Sequence, residues 1–236
     1  MMKTKNGLTR NKQGFTLLEL LIVIGIIAIL SVILILVLNP AETLKKSRDV
    51  QRISDLNTLK TAIGIYTTST SSPKLAGSDN TACKADGGAY AAGDKIYYSY
   101  PSDTPGAAIT DTLLDGSVVA NEPADSQVVD ANLALTDGTG WLPINLDALP
   151  SGSPISNLPI DPVNTIAAPA TVAATDLVYR YACRADNLTY EIDATLESSA
   201  FTSEEDKRKK DGGNATLYYE VGTNLKILGS GASVPF

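Results

Sequence analysis

Any chemistry in this chain has to be done without histidine. The 236 residues hold 26 Asp+Glu, 19 Lys+Arg, two Cys and no His. Ser-His-Asp and Cys-His mechanisms therefore lack their base, and two thiols are too few for a usual zinc or iron–sulfur site. Asp and Glu pairs could serve as acid and base, but nothing in the sequence marks a pocket for them, and the chain does not read as an enzyme. Four features remain. They are Gly14 beside Phe15, a lone carboxylate at Glu19 inside an apolar block, Cys83 and Cys183, and the charged run SEEDKRKKDGG at residues 203–213.

Glu19 is conspicuous because of its surroundings. Residues 15–38 read FTLLELLIVIGIIAILSVILILVL, and the nineteen residues 20–38 carry no charge. At ~1.5 Å per residue they cover about 28 Å, close to the ~30 Å hydrocarbon core of a bilayer. The block reads as a membrane-spanning helix, since the polar remainder is too small to cover it on all sides as a core helix. Before it stand Lys3, Lys5, Arg10 and Lys12 with no acid. A secretory signal peptide would have a shorter apolar region and small residues at a cleavage site, whereas this block ends in Asn39-Pro40. Lys45, Lys46, Arg48 and Arg52 match the four earlier positive charges, so charge counting leaves the orientation open.

A charge at mid-helix costs about 2.5–3.5 kcal/mol on insertion scales and less near the boundary, so Glu19 asks for a partner. The segment G-F-T-L-L-E at residues 14–19, after a basic leader and before a long apolar helix, resembles the type IV prepilin signature. The resemblance implies that a membrane-embedded prepilin peptidase cuts after Gly14 and methylates the new amine of Phe15. It also implies that Glu19 is the subunit-assembly residue, with the leader cytoplasmic and the remainder outside the bacterial cytoplasmic membrane. The implied partners are the lipid bilayer before assembly, identical or related pilin subunits, and an inner-membrane assembly platform. The amine created by the cut is largely cationic at neutral pH, with a reference pKa near ~7.7–8.0, and could pair with Glu19 of its own or a neighbouring subunit. The cut would remove four positive charges, leaving 15 Lys+Arg against 26 acids and shifting the side-chain charge from −7 to −11. That acidity argues against a general affinity for nucleic acid.

The helix is expected to resume after a break. Asn39-Pro40-Ala41-Glu42 is a helix start signal, and proline disfavours helix at the residue before it. Leu44, Val50, Ile53, Leu56, Leu59, Ile63 and Tyr66 then form one apolar face, with Lys45, Arg48, Arg52, Asp55 and Lys60 largely off it. Residues 67–73, TTSTSSP, end this second helical half. Strand character follows at 95–100 and 177–183. The clearest strand is 188–196, with Leu188, Tyr190, Ile192, Ala194 and Leu196 on a buried face and Thr189, Glu191, Asp193 and Thr195 on a wet one. Residues 184–187 would join the last two strands as a hairpin, and 217–221 with 225–228 would add another. The expected fold is α+β: a cleaved leader at 1–14, an assembly helix at 15–38, an amphipathic helical half at 39–66, and a loop-rich head at 67–236 whose antiparallel sheet packs on the helix.

Nine of the twelve prolines fall between Pro101 and Asp176, in a long loop that reads as functional or variable surface. Its LPIDPVN, residues 158–164, resembles the Asp-Pro element of type II secretion pseudopilins and related pilins. Outside the membrane a Cys83–Cys183 disulfide is the expectation, with two buried free thiols as the alternative. Closing so long a loop is worth about 4–5 kcal/mol on the entropy model. No cofactor is expected. Calcium at 203–213 is a weaker reading, because Lys207, Arg208, Lys209 and Lys210 interleave with the acids. The sequons at Asn187 and Asn214 add nothing by themselves. An extracellular pilus and a periplasmic secretion pseudopilus share the N-terminal signature, which does not separate them.

Overall fold

The computed structural model describes residues 14–85, 90–91, 93–101, 110–111, 128–166, 171–173 and 175–229. Apart from Gly14, the basic leader lies outside the described residues, as do Pro105, Pro123 and Pro169 of the long loop. The chain divides into two compact units, residues 1–43 and 44–236.

The first unit is dominated by helix α1, Leu17–Leu38. Its window Leu17–Ile35 has a mean hydropathy of 3.1 and no buried residue. Leucine and isoleucine point out on every side, so the helix has no polar face for water. Helix α1 stops at Asn39, which takes a left-handed conformation with φ 36°. Asn tolerates that region, and Pro40 makes right-handed helix unfavourable at the preceding residue. Helix α2, Pro40–Ser69, then begins, and the Asn39 side chain accepts a hydrogen bond from the Glu42 N–H. The break is where Asn39-Pro40 places it; the second helix runs three residues past the expected end at 66.

In the second unit α2 buries Asp49, Arg52, Leu56, Leu59, Ala62, Ile63 and Tyr66. This corrects the expected apolar face. Leu44 and Val50 are exposed, whereas Arg52, expected off the face, is fully buried. The inward positions keep their three- and four-residue spacing, but the first two carry charges.

The main sheet has the order β1-β4-β5-β6, all antiparallel, with β1 at Tyr97–Tyr98, β4 at Tyr179–Arg184, β5 at Thr189–Thr195 and β6 at Tyr218–Gly222. A short parallel pair joins β2, Thr110–Asp111, to β3, Thr171–Val172. Tyr181 pairs with Ile192, which in turn faces Val221, and all three enter the core that contains Leu56, Leu59 and Ile63 of α2. Tyrosine hydroxyls fasten these layers. Tyr179 donates to Asp55 at 2.9 Å, Tyr190 to the Lys60 carbonyl at 3.0 Å and Tyr181 to the Leu75 carbonyl at 2.8 Å.

The opposite face of the sheet is not wet, which corrects the alternation expected for β5. Glu191 and Asp193 are fully buried, beneath a second core of Tyr98, Val178, Ala182, Tyr218, Ile227 and Leu228. Their charges are compensated locally. Arg180 donates to Asp193 at 2.9 Å and stacks 4.2 Å from the Tyr218 ring centroid. Glu191 accepts from the backbone N–H groups of Ile227 and Leu228 at 2.6 and 2.9 Å. Those bonds also explain why residues 225–228 form no strand. Their donors go to a buried carboxylate instead of to a neighbouring strand.

Residues 128–166, expected as surface loop, supply much of the first core through Trp141, Leu142, Ile144, Leu146 and Leu158. Trp141 donates its ring N–H to the Pro159 carbonyl at 2.9 Å, and Leu158 N–H donates to Ala134 at 2.8 Å. Gly140 permits the tight fold, since a Cβ there would sit 2.1 Å from the Leu135 carbonyl oxygen. Cys83 and Cys183 form a buried disulfide with Sγ atoms 2.00 Å apart. Beside it, Lys84 N–H donates to the Cys183 carbonyl at 2.9 Å, and Ala185 N–H to that of Lys84 at 2.8 Å.

Candidate processing and assembly site

Gly14, Phe15 and Glu19 stand together at the start of α1. Phe15 is 83% exposed, and a Cβ added at Gly14 would meet nothing within 4 Å. Among the described residues no packing demands glycine at position 14. Thr16 caps the helix in extended conformation, and its hydroxyl accepts from the Glu19 N–H at 3.2 Å. Glu19 reaches back to accept from the Thr16 N–H at 3.2 Å and the Thr16 hydroxyl at 3.0 Å. This reciprocal pair is a capping box, and it satisfies helix N-terminal donors with the charge sign that the helix dipole favours.

Sequence reasoning treated Glu19 as a carboxylate without a partner and overlooked T-x-x-E at residues 16–19, which spells the box. In the uncut chain the partner is the start of Glu19's own helix. An α-amine created at Phe15 would lie one residue before Thr16, adding a cation where the carboxylate is already held. The box therefore pre-positions Glu19 at the end of the helix that would carry the new amine.

A second charged centre lies within residues 44–236 and was not legible as one. Arg52 donates to Asp161 at 2.6 and 3.0 Å, to Asp49 at 2.8 Å and to Glu197 at 2.7 Å. Arg48 adds two bonds to Glu197, both 2.8 Å. Asp161 also accepts from the Val163 and Asn164 N–H groups at 2.8 and 3.2 Å, and Asp49 from the Ser198 N–H at 2.7 Å. Burial alone would lower the pKa of Arg52, but its carboxylate partners outweigh that and hold it above the ordinary arginine value. The hydrogen bonds from Arg48, and then those from Arg52, bring the Glu197 carboxyl down to about 2. The centre ties the Asp-Pro element and the exit of β5 to α2. A signal for it existed in Asp49 and Arg52, which continue the inward spacing of Leu56, Leu59 and Ile63 toward the start of the helix.

In the 203–213 run three of the acids have partners within the run or in β6. Glu205 pairs with Lys207 at 2.8 Å, and Asp206 with Arg208 at 3.1 Å and Lys209 at 2.9 Å. Asp211 accepts from the Gly213 and Glu220 N–H groups at 2.9 and 2.8 Å. Among the described residues no three ligand-type side chains converge as a metal site.

Residues 9–35 match the family model described as the prokaryotic N-terminal methylation motif. No curated protein and no solved structure matches the chain. The match takes in Gly14, Phe15, the capping box and most of α1, and it stops before α2. Joined to an apolar helix and an antiparallel-sheet head, that motif gives the chain the signature of type IV pilins and pseudopilins, and marks it as a pilin-like substrate of prepilin peptidase.

Proposed function

We propose that the protein is a structural subunit of a type IV pilus-like filament. It enters the cytoplasmic membrane as a single-pass protein through α1, with the leader inside and the head outside. Prepilin peptidase cuts between Gly14 and Phe15 and methylates the Phe15 amine, and the subunit polymerises through α1 with Glu19 setting register. The observation that carries this reading is α1 itself, which in one chain leaves apolar surface uncovered on every side. Lipid covers such a surface before assembly, and the same helices of other subunits cover it afterwards. A buried Cys83–Cys183 disulfide accords with a head on the oxidising side of the membrane.

Gly14→Ala tests the processing step cleanly, because a methyl group at that position meets nothing within 4 Å among the described residues. The variant should insert and remain uncut; mature protein at normal yield would refute the assignment. Glu19→Ala should be inserted and cut yet give few filaments, and wild-type filament yield would refute the register role.

A pseudopilin of a type II secretion system is the second reading, favoured by the Asp-Pro element that Arg52 anchors. Antibody to the head and electron microscopy of cells separate the two. Long labelled surface fibres support the pilus; a secretion defect on deletion, without such fibres, supports the pseudopilus.

A further inference from the structure

Two carboxyls meet on the face of the main sheet that carries the second core. Asp193 of β5 lies directly across from Glu220 of β6, and Glu191 stands two residues before Asp193, so all three project from one face. Arg180 takes Asp193. Glu191 and Glu220 are 0% and 1% exposed and lie within hydrogen-bond reach of each other. Burial raises the pKa of both, contact with Glu191 raises Glu220 further, and Asp193 adds to the rise in each.

One oxygen of each carboxyl is fixed by the backbone. Glu191 Oε2 accepts from the Ile227 and Leu228 N–H groups at 2.6 and 2.9 Å, and Glu220 Oε2 from the Ala215 N–H at 2.8 Å. The Oε1 atoms differ: both are buried, and neither has a donor among the described residues. A third oxygen shares their condition. Gly213 lies so close to Glu220 that a Cβ there would collide with the carboxyl, and Ala215 is bonded to it. Asn214 stands between these two contacts, and its Oδ1 is buried without a donor among the described residues.

Three acceptors are thus buried around one pair of carboxyls with nothing donating to them. A buried acceptor left unpaired costs free energy, so such a group calls for a positive partner. A proton bridges two oxygens at most and leaves the third. A hard cation takes all three, because the donors are all oxygen and two carboxylates match a charge of +2. Only two carboxylates meet here, so the Asn214 amide oxygen is part of the site, and backbone carbonyls or water complete the shell of about six to eight oxygens that calcium accepts.

We propose that Glu191, Glu220 and Asn214 bind one hard divalent cation, which replaces the protons otherwise held by the two carboxyls and releases them to solvent. The ion joins β5 and β6 to residues 213–215, and through Glu191 it steadies residues 227–228. Glu204, Glu205 and Asp206 take no part. The site is independent of the reading of α1 and of filament formation.

The test is calcium titration of the full chain in detergent, stripped of divalent ions by a chelator and read by calorimetry and by the urea midpoint from Trp141 fluorescence. Calcium is the probe because it sheds its water more readily than magnesium. One ion per chain should bind at pH 7 with a dissociation constant of about 0.1–1 mM. About 5 mM calcium should then raise the urea midpoint by roughly 0.5–1 M. Calorimetry in two buffers of different ionisation enthalpy should show protons released on binding, and affinity should fall from pH 8 to pH 6. Glu220→Gln keeps an oxygen for the Ala215 N–H, and it should weaken binding at least about tenfold, as should Asn214→Ala. Asp206→Asn should bind like the unaltered chain. No binding up to about 20 mM calcium, well beyond the range of weak calcium modules, overturns the proposal and leaves the pair to protons. Binding that survives both Glu220→Gln and Asn214→Ala also overturns it, by assigning the ion to other acids, as does binding that releases no proton. If Glu220→Gln fails to fold, Asn214→Ala and the proton release decide the matter.

Discussion

Replacing Arg52 with alanine tests whether the buried ionic centre holds the second unit together. The substitution removes a guanidinium that makes four bonds to three carboxylates, two of which, Asp49 and Asp161, have fully buried side chains. Breaking a buried pair by deleting one member costs about 3–5 kcal/mol, since the remaining charge is neither solvated nor compensated. Backbone N–H groups of Val163, Asn164 and Ser198 still reach the stranded carboxylates and place the effect toward the lower end. Taking about 3 kcal/mol and a urea slope near ~2 kcal/mol/M, the midpoint should fall by roughly 1.5 M. Trp141 is the only tryptophan and is fully buried. Its ring N–H is bonded to Pro159, two residues before Asp161, so its fluorescence reports this region directly. A midpoint shift under about 0.4 M at pH 7 would refute the claim that the centre stabilises the fold.

Two groups give the second unit opposite pH responses. Glu197 has its pKa depressed to about 2, so its contribution is present above the ordinary carboxylate pKa of ~4.3 and is lost as pH falls toward 2. Burial pushes the Glu191 and Glu220 carboxyls up, and the neighbouring Glu191 carboxylate raises Glu220 further. Their contribution is therefore complete below ~4.3 and is lost as pH rises through the elevated values. Glu220→Gln removes one of these ionisations and the like charge beside Glu191. Urea midpoints from pH 6 to 10 should decline less steeply in the variant, and parallel profiles would contradict the coupling of the two carboxyls. Replacing both Cys83 and Cys183 with serine opens a loop closed across a separation of 100 residues. It should cost about 4–5 kcal/mol on the entropy model, read as a urea midpoint roughly 2 M lower; an unchanged midpoint would show that the disulfide adds nothing to stability.

Features that depend on neighbouring residues were legible in the sequence. The uncharged run at 20–38 dictates a helix with no polar side, and Asn39-Pro40 breaks it because proline acts on the residue before it. The motif at Gly14, Phe15 and Glu19 is local in the same sense, and so was the capping box that the reading overlooked. Period-two alternation located β5, and four intervening residues located its hairpin with β4.

Tertiary structure decided what covers each face. Glu191 and Asp193 occupy alternate positions that look like a solvent face, until residues 215–228 fold over them and supply backbone donors from 36 and 37 positions away. Arg52 reads as a surface cation because its main acceptor, Asp161, is 109 residues distant. Composition likewise marks residues 128–166 as loop, since prolines suppress regular strands, yet Trp141 and its neighbours fill the core without them. Periodicity records which side chains share a face. Whether that face meets water depends on segments far along the chain, and only the folded structure brings them there.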